Sequence, residues 1–130
     1  MERSRNGRRT ETRPAPPAEA GRAKQRAFCI AASPETVDLE ELKELLRTAG
    51  VATVGELTQK RDAVHPNTYL GSGKVAEVKA ALKEADANVV VADDELTPRQ
   101  QRNLETALDV PVLDRTSVIL DIFASHAHTA

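Results

Sequence analysis

Short apolar runs alternate with helical stripes along this chain from residue 27 onward. Ala27-Phe28-Cys29-Ile30-Ala31 is continuously apolar and is closed by Ser33-Pro34, which predicts a buried strand. Asp38 opens a helix, with Glu41 placed to close a capping box. Leu39, Leu42, Leu46 and Ala49 follow at helical spacing, and Gly50 supplies the stop. A second strand, rich in β-branched residues, runs over Ala52–Thr58. Gln59–Ser72 is then the longest connection, and connections of that length in compact domains are usually functional or mobile.

A helix begins near Gly73, with Val75, Val78, Leu82 and Ala85 on one face. Asn88-Val89-Val90-Val91-Ala92 is nearly all aliphatic, as a strand covered on both faces must be. Thr97-Pro98-Arg99-Gln100 is a helix start in which Thr caps, Pro occupies the first turn and Gln closes the box. Leu104, Ala107 and Leu108 face inward from it. Val110-Pro111-Val112-Leu113 predicts a short strand, its Pro favouring a strand start or an edge. Asp114 caps a last helix through Val118, Ile119, Ile122 and Phe123. The order βαβαβαβα predicts an α/β fold: a small open parallel four-stranded sheet, strand order 2-1-3-4, with helices on both faces.

Composition excludes several classes. One Cys, Cys29, cannot build a disulfide framework or a zinc knuckle, and its place in a buried strand marks it as structural. No apolar run approaches the roughly 20 residues of a membrane span, and no secretory h-region follows the basic N-terminus. The expectation is a soluble, cytoplasmic monomer. His126 and His128 lie two apart, so on a helix they point to different sides and do not chelate together. No metal site is expected.

The net charge of −2 hides an asymmetry. Residues 1–26 carry eight Lys/Arg against Glu2, Glu11 and Glu19, a local charge of +5, so the remaining 104 residues hold −7. Residues 1–25 have almost no apolar side chains beyond Met1 and alanines, and predict a disordered basic arm ahead of a domain over 26–130. Such an arm is either a solubilising tail or a contact for a phosphate backbone.

In an open parallel sheet, sites form at the carboxyl ends of the strands. That edge should gather Ser33-Pro34, the Gln59–Ser72 connection, Asp93-Asp94-Glu95 and Asp114-Arg115. Tyr69-Leu70-Gly71-Ser72-Gly73-Lys74 opens a helix, so its N–H groups and Lys74 could hold a phosphate, with Tyr69 stacking on a base or ribose. The alternative is a glycine-rich helix entry whose Tyr packs on the sheet edge. It is not a Walker A loop, because Thr68 stands where the first Gly belongs and Val75 where Ser or Thr would bind Mg²⁺. Asp93, Asp94 and Glu95 could take a cation or a ribose, or merely precede the Thr97 cap, with Arg115 pairing to one of these acids.

Three stretches carry a family resemblance. Thr68–Lys74, Asp93–Glu105 and Asp114–Ala124, with Thr58–Asp62 beside them, resemble the N-terminal domain of HflX-type ribosome-associated GTPases. The resemblance runs from about Arg26 to Ala130. It implies an α/β subdomain followed in the family by a helical hairpin and a P-loop G domain. It also implies binding to the large ribosomal subunit and its rRNA, use of GTP and Mg²⁺ by the full-length protein, and splitting or rescue of stalled ribosomes. It places Tyr69, Gly71, Gly73 and Lys74 in the family's glycine loop, and Asp93, Asp94, Asp114 and Arg115 in its other signature loops.

These 130 residues contain no G-x-x-x-x-G-K-[ST], D-x-x-G or N-K-x-D. GTP hydrolysis by the family's mechanism, and a bound cofactor, are therefore not expected from this chain alone, which reads as the front portion of a longer GTPase. Lys60, Arg61, Lys74 and the basic arm are the candidate rRNA contacts. The alternative is a stand-alone nucleotide-binding α/β domain using the Gly71–Lys74 loop. A third reading is a protein-interaction domain presenting the Val118–Phe123 stripe.

Overall fold

A computed structural model describes residues 25–129, with side chains through Ile122. The elements are β1 (Arg26–Ser33), α1 (Glu40–Thr48), β2 (Ala52–Lys60), α2 (Ser72–Ala85), β3 (Val89–Ala92), α3 (Pro98–Leu108), β4 (Val112–Asp114) and α4 (Arg115–Thr129). The strands form one sheet in the order β2-β1-β3-β4. Every pairing is parallel, so the sheet has the 2-1-3-4 order and the α/β class read from the sequence. Except for Gln25, the basic arm lies outside the described residues, as do the side chains of Phe123, His126 and His128.

Alternation along the two central strands builds two cores. Phe28, Ile30, Val90 and Ala92 face Val78, Leu82, Leu104 and Leu108 of α2 and α3. Ala27, Cys29, Ala31, Val89 and Val91 face Leu42 and Leu46 of α1 and Val118 of α4. Successive strand residues point to opposite faces, so a run such as Val89-Val90-Val91 is needed where both faces are covered. Each aliphatic side chain buried in this way contributes about 1.5–3 kcal/mol.

Several local expectations shift. β2 runs on through Gln59 and Lys60, shortening the long connection to residues 61–71. A bulge leaves Val54 extra between the Ala27–Thr53 and Phe28–Gly55 pairs. β4 begins at Val112 rather than Val110, because Pro111 offers only its carbonyl, which accepts from Val90 N–H at 3.0 Å. At α1 the N-cap is Leu39, and Asp38 Oδ1 accepts from Glu40 N–H at 3.0 Å. Glu41 closes no capping box there; it pairs with Arg115. The box at α3 forms as expected, with Thr97 Oγ1 accepting from Gln100 N–H at 3.1 Å and Gln100 Oε1 from Thr97 N–H at 2.9 Å.

Candidate functional site

The parallel sheet brings the ends of all four strands to one edge, where the segment 61–71 crosses. His65 and Tyr69 close its tip as a small antiparallel bridge, with N–H···O distances of 3.1 and 2.8 Å. α3 then clamps it. Gln100, buried despite being polar, donates to His65 O at 2.9 Å, and Asn103 donates to Asn67 O at 2.9 Å. Arg99 reaches Asn67 Oδ1 at 3.4 Å. The same helix holds β4, through Gln101 to Val112 O at 2.7 Å and Glu105 accepting from Val112 N–H at 3.0 Å.

Tyr69 is the pin of this edge. Its backbone sits in the left-handed region at φ 67°, and it is only 1% exposed. The hydroxyl donates to Asp94 Oδ2 at 2.6 Å and accepts from Ala32 N–H at 3.0 Å. β3 ends at Ala92, so Ala32 has no strand neighbour there, and the phenol supplies the missing acceptor. Burial, then the hydrogen bond to Asp94, raises the phenol well above its ordinary pKa. Of the two readings of Tyr69, stacking on a base or ribose gives way to packing at the sheet edge: the ring is inside the domain.

The acidic residues are likewise engaged. Asp93 Oδ1 lies 3.5 Å from Arg115 Nη1, and Arg115 also pairs with Glu41. Burial raises the Asp93 carboxyl; Arg115 opposes that, while Asp94 and Glu41 add to it. Asp114 accepts from Leu96 N–H and Ser117 N–H, both at 2.9 Å. Burial pulls Asp114 upward, but these donors outweigh it and hold the carboxyl below its ordinary value. Cys29 belongs to the opposite face of β1, and burial pushes its thiol up to about 11, as for an inert core residue. Among the described residues no group of His, Cys, Asp and Glu is arranged to hold a metal.

The glycine loop divides differently than its sequence suggests. α2 starts at Ser72, and Gly71 is its N-cap without a side-chain cap. Gly71 N–H donates to Gln59 Oε1 at 2.9 Å, so this amide is not available to a ligand. Val75 N–H to Gly71 O, at 2.9 Å, is the first intrahelical bond. Ser72, Gly73 and Lys74 are therefore the first-turn N–H groups without an intrahelical acceptor. Lys74 pairs with Glu77 at 2.9 Å. Arg61 Nε donates to Ala63 O at 2.9 Å, and a Cβ on Gly71 would stand 2.8 Å from Arg61 Nη1. The structure thus brings Arg61 against Gly71 at the start of α2, the turn that carries Gly73 and Lys74, whereas Lys60, one strand position earlier, turns its side chain to the opposite face of the sheet. Asp93 and Arg115 form a separate ion pair, and Asp114 holds the start of α4 through Ser117 N–H. The tertiary contacts of Gln59, Glu41, Gln100 and Asn103 had no sequence signal, since each reaches a residue distant in the chain; Glu41 and Gln100 carried a signal only as capping residues.

Comparison with known proteins agrees with this framework. The family model described as GTP-binding GTPase N-terminal matches residues 36–124. The chain belongs to this family, the N-terminal domain of HflX-type GTPases. GTPase HflX of Lacrimispora saccharolytica is 57% identical over 91 residues, spanning 70% of this chain and 22% of the relative. GTPase HflX of Caldanaerobacter subterraneus subsp. tengcongensis is 46% identical over 114 residues, 85% of this chain and 27% of the relative. The protein of the same name from Escherichia coli K12 is 45% identical over 92 residues, 71% of this chain and 22% of the relative. The chain thus spans about a quarter of these HflX proteins. The crystal structure of SsGBP with GDP matches 78% of this chain and 29% of its own at a TM-score of 0.62 and 20% identity. A GTP-binding protein of Sulfolobus solfataricus in complex with GDP matches at 0.58 and 18% identity, over 77% of this chain and 30% of its own. Both likenesses show the fold alone.

Proposed function

We propose that this chain is the N-terminal binding module of an HflX-type GTPase, working in the cytoplasm on the large ribosomal subunit in the splitting or rescue of stalled ribosomes. The observation that carries the reading is the family match over residues 36–124, with 45–57% identity to proteins named GTPase HflX. Hydrolysis of GTP with Mg²⁺ is assigned to the full-length family protein, because these residues hold none of the G motifs. The domain's part is docking. Its body is acidic, so contacts with rRNA are local and centre on Lys60 and Arg61, which have no carboxylate partner among the described residues, with Lys74 and the basic arm beside them. Phosphate contacts release counterions, so binding falls with salt.

Co-sedimentation with purified large subunits over a salt series tests this. The parent chain binds more weakly as salt rises, and Lys60→Ala/Arg61→Ala binds more weakly with a shallower salt slope. Binding indifferent to salt would refute phosphate docking.

A second reading rests on the open first turn of α2 beside Arg61, which suits a nucleotide phosphate. ATP and GTP titrations of the parent and of Lys74→Ala decide it. Absence of saturable binding at about 1 mM nucleotide eliminates it.

A further inference from the structure

The negative charge of the body is unevenly spread over the fold. On α2, a rotation of about 100° per residue sets Lys79 and Lys83 on the flank beside α3. The other flank faces β2, where Ala85 lies 3.8 Å from a Cβ placed on Gly55. On α3, Gln101 and Glu105 bond to Val112 and so mark the flank turned to β4. Asn103 and Ala107 then line the α2 side, and Arg99 and Arg102 rise from the outer surface. All four cations are exposed.

None of the four has a carboxylate partner among the described residues, although both helices carry acids. Glu77 is taken by Lys74, Glu105 accepts from Val112 N–H, and Glu84 points further round α2, away from α3. Arg99 makes one long bond, to Asn67 Oδ1 at 3.4 Å, which leaves most of its donors free. Lys79 and Lys83 stand four apart and Arg99 and Arg102 three apart, so each helix holds like charges as neighbours, an arrangement that opposes helix formation. α1 is built the other way: Lys43 pairs with Glu40 and Glu56, and Arg47 with Glu44. The fold neutralises the cations of α1 and leaves those of α2 and α3 for a group outside it.

The chemistry of this face selects its partner. Two rows of cations on helices whose axes pack about 8–10 Å apart suit a rigid array of phosphates. Phe28 and Tyr69 are inside, 4% and 1% exposed, so no described aromatic side chain offers a platform for unpaired bases. An A-form duplex needs no such platform, because it is held through its backbone and shape.

We propose that the outer face of α2 and α3, through Lys79, Lys83, Arg99 and Arg102, docks on the sugar-phosphate backbone of an RNA duplex. The proposal rests on the docking reading above and adds to Lys60 and Arg61 a helical surface with its own class of RNA.

Two measurements test it, with circular dichroism verifying the fold of each variant. In the salt series with large subunits, Lys79→Gln/Arg102→Gln removes one partnerless cation from each helix. It binds about tenfold more weakly than the parent, with a salt slope lower by about 2. Lys79→Arg/Arg102→Lys keeps the charges and binds like the parent. Lys43→Gln/Arg47→Gln changes net charge equally but on α1, and also binds like the parent. Fluorescence anisotropy then uses a labelled RNA duplex of about 20 base pairs and its separate strands. The parent binds the duplex more tightly than either strand, and Lys79→Gln/Arg102→Gln loses that preference. A parent that does not bind large subunits overturns the docking reading and this proposal with it. A parent that binds them no better than Lys79→Gln/Arg102→Gln, or an α1 variant that weakens as much, overturns this proposal alone. So does a parent that prefers the single strands, or one that ignores the duplex while the double variant loses the subunit, which would point to an acidic protein surface.

Discussion

Replacing Tyr69 by Phe removes one oxygen and leaves the ring in place. The lost hydroxyl bridges Ala32 N–H at 3.0 Å and Asp94 Oδ2 at 2.6 Å. Ala32 is 4% exposed and lies beyond the end of β3, so its N–H has no other acceptor at hand. An unsatisfied buried donor costs about 1–3 kcal/mol. Asp94 is exposed and recovers water, so its side of the bridge adds less, about 1 kcal/mol. The sum is roughly 2–4 kcal/mol. The same bridge also holds Tyr69 at φ 67°, a region that costs a non-glycine residue on the order of 1 kcal/mol. Urea unfolding followed by circular dichroism reads the loss as a lower midpoint at unchanged slope. Asp94→Ala leaves the Ala32 bond standing and costs about half as much as Tyr69→Phe. Tyr69→Phe/Asp94→Ala falls short of the two single losses by about 1 kcal/mol, as shared partners must. A loss for Tyr69→Phe below about 0.5 kcal/mol would refute the pin.

Other substitutions follow from local geometry. Gly73 sits in the first turn of α2 with nothing within 4 Å of an added Cβ, so Gly73→Ala stabilises by about 0.5–1 kcal/mol in the same urea assay. Gly55→Ala places a Cβ 2.7 Å from the Phe28 ring, which the core cannot move cheaply, and lowers stability by about 1–3 kcal/mol. Asp114, depressed in the fold, stabilises above its unfolded pKa, and that contribution is lost as pH falls through the lower folded value. Asp114→Asn therefore flattens the acid limb of stability between about pH 5 and pH 2. Asp93, raised in the fold, works in the opposite sense and destabilises above its folded pKa, so Arg115→Ala raises the Asp93 carboxyl further, read by NMR titration.

Sheet order and core were legible because they depend on local pattern. Runs such as Val89–Ala92 and stripes such as Val75, Val78 and Leu82 carry their own periodicity, and βα alternation limits topology. The candidate site was legible as a place and in one pair, Arg115 with an acid of the loop after β3. Tyr69 meets Asp94 across 25 residues of sequence, and Arg115 meets Glu41 across 74. No spacing rule reaches that far. Glu41 shows the failure well: three residues after Asp38 it has the form of a capping residue, yet a tertiary partner takes its carboxylate. Tyr69 shows the same in aromatic form. A tyrosine before a glycine loop reads equally as a stacking platform and as a residue packed on the sheet edge until the backbone is known to turn its ring inward.

The residues that carry the family resemblance are, for the most part, occupied with one another. Gln100 and Asn103 hold the 61–71 segment, Asp114 caps α4, Asp94 holds Tyr69, and Asp93 shares Arg115 with Glu41. A polar group already bonded inside a fold offers little to a ligand, since each new contact first costs an old one. Chemistry directed outward must come from what remains. At this edge that is Lys60 and Arg61, together with the first turn of α2. On the docking role proposed above, the signature loops are the mount and the 60–74 corner is the contact. Changes in the mount should lower stability and binding together, while changes at Lys60 and Arg61 should lower binding and leave stability within about 0.5 kcal/mol.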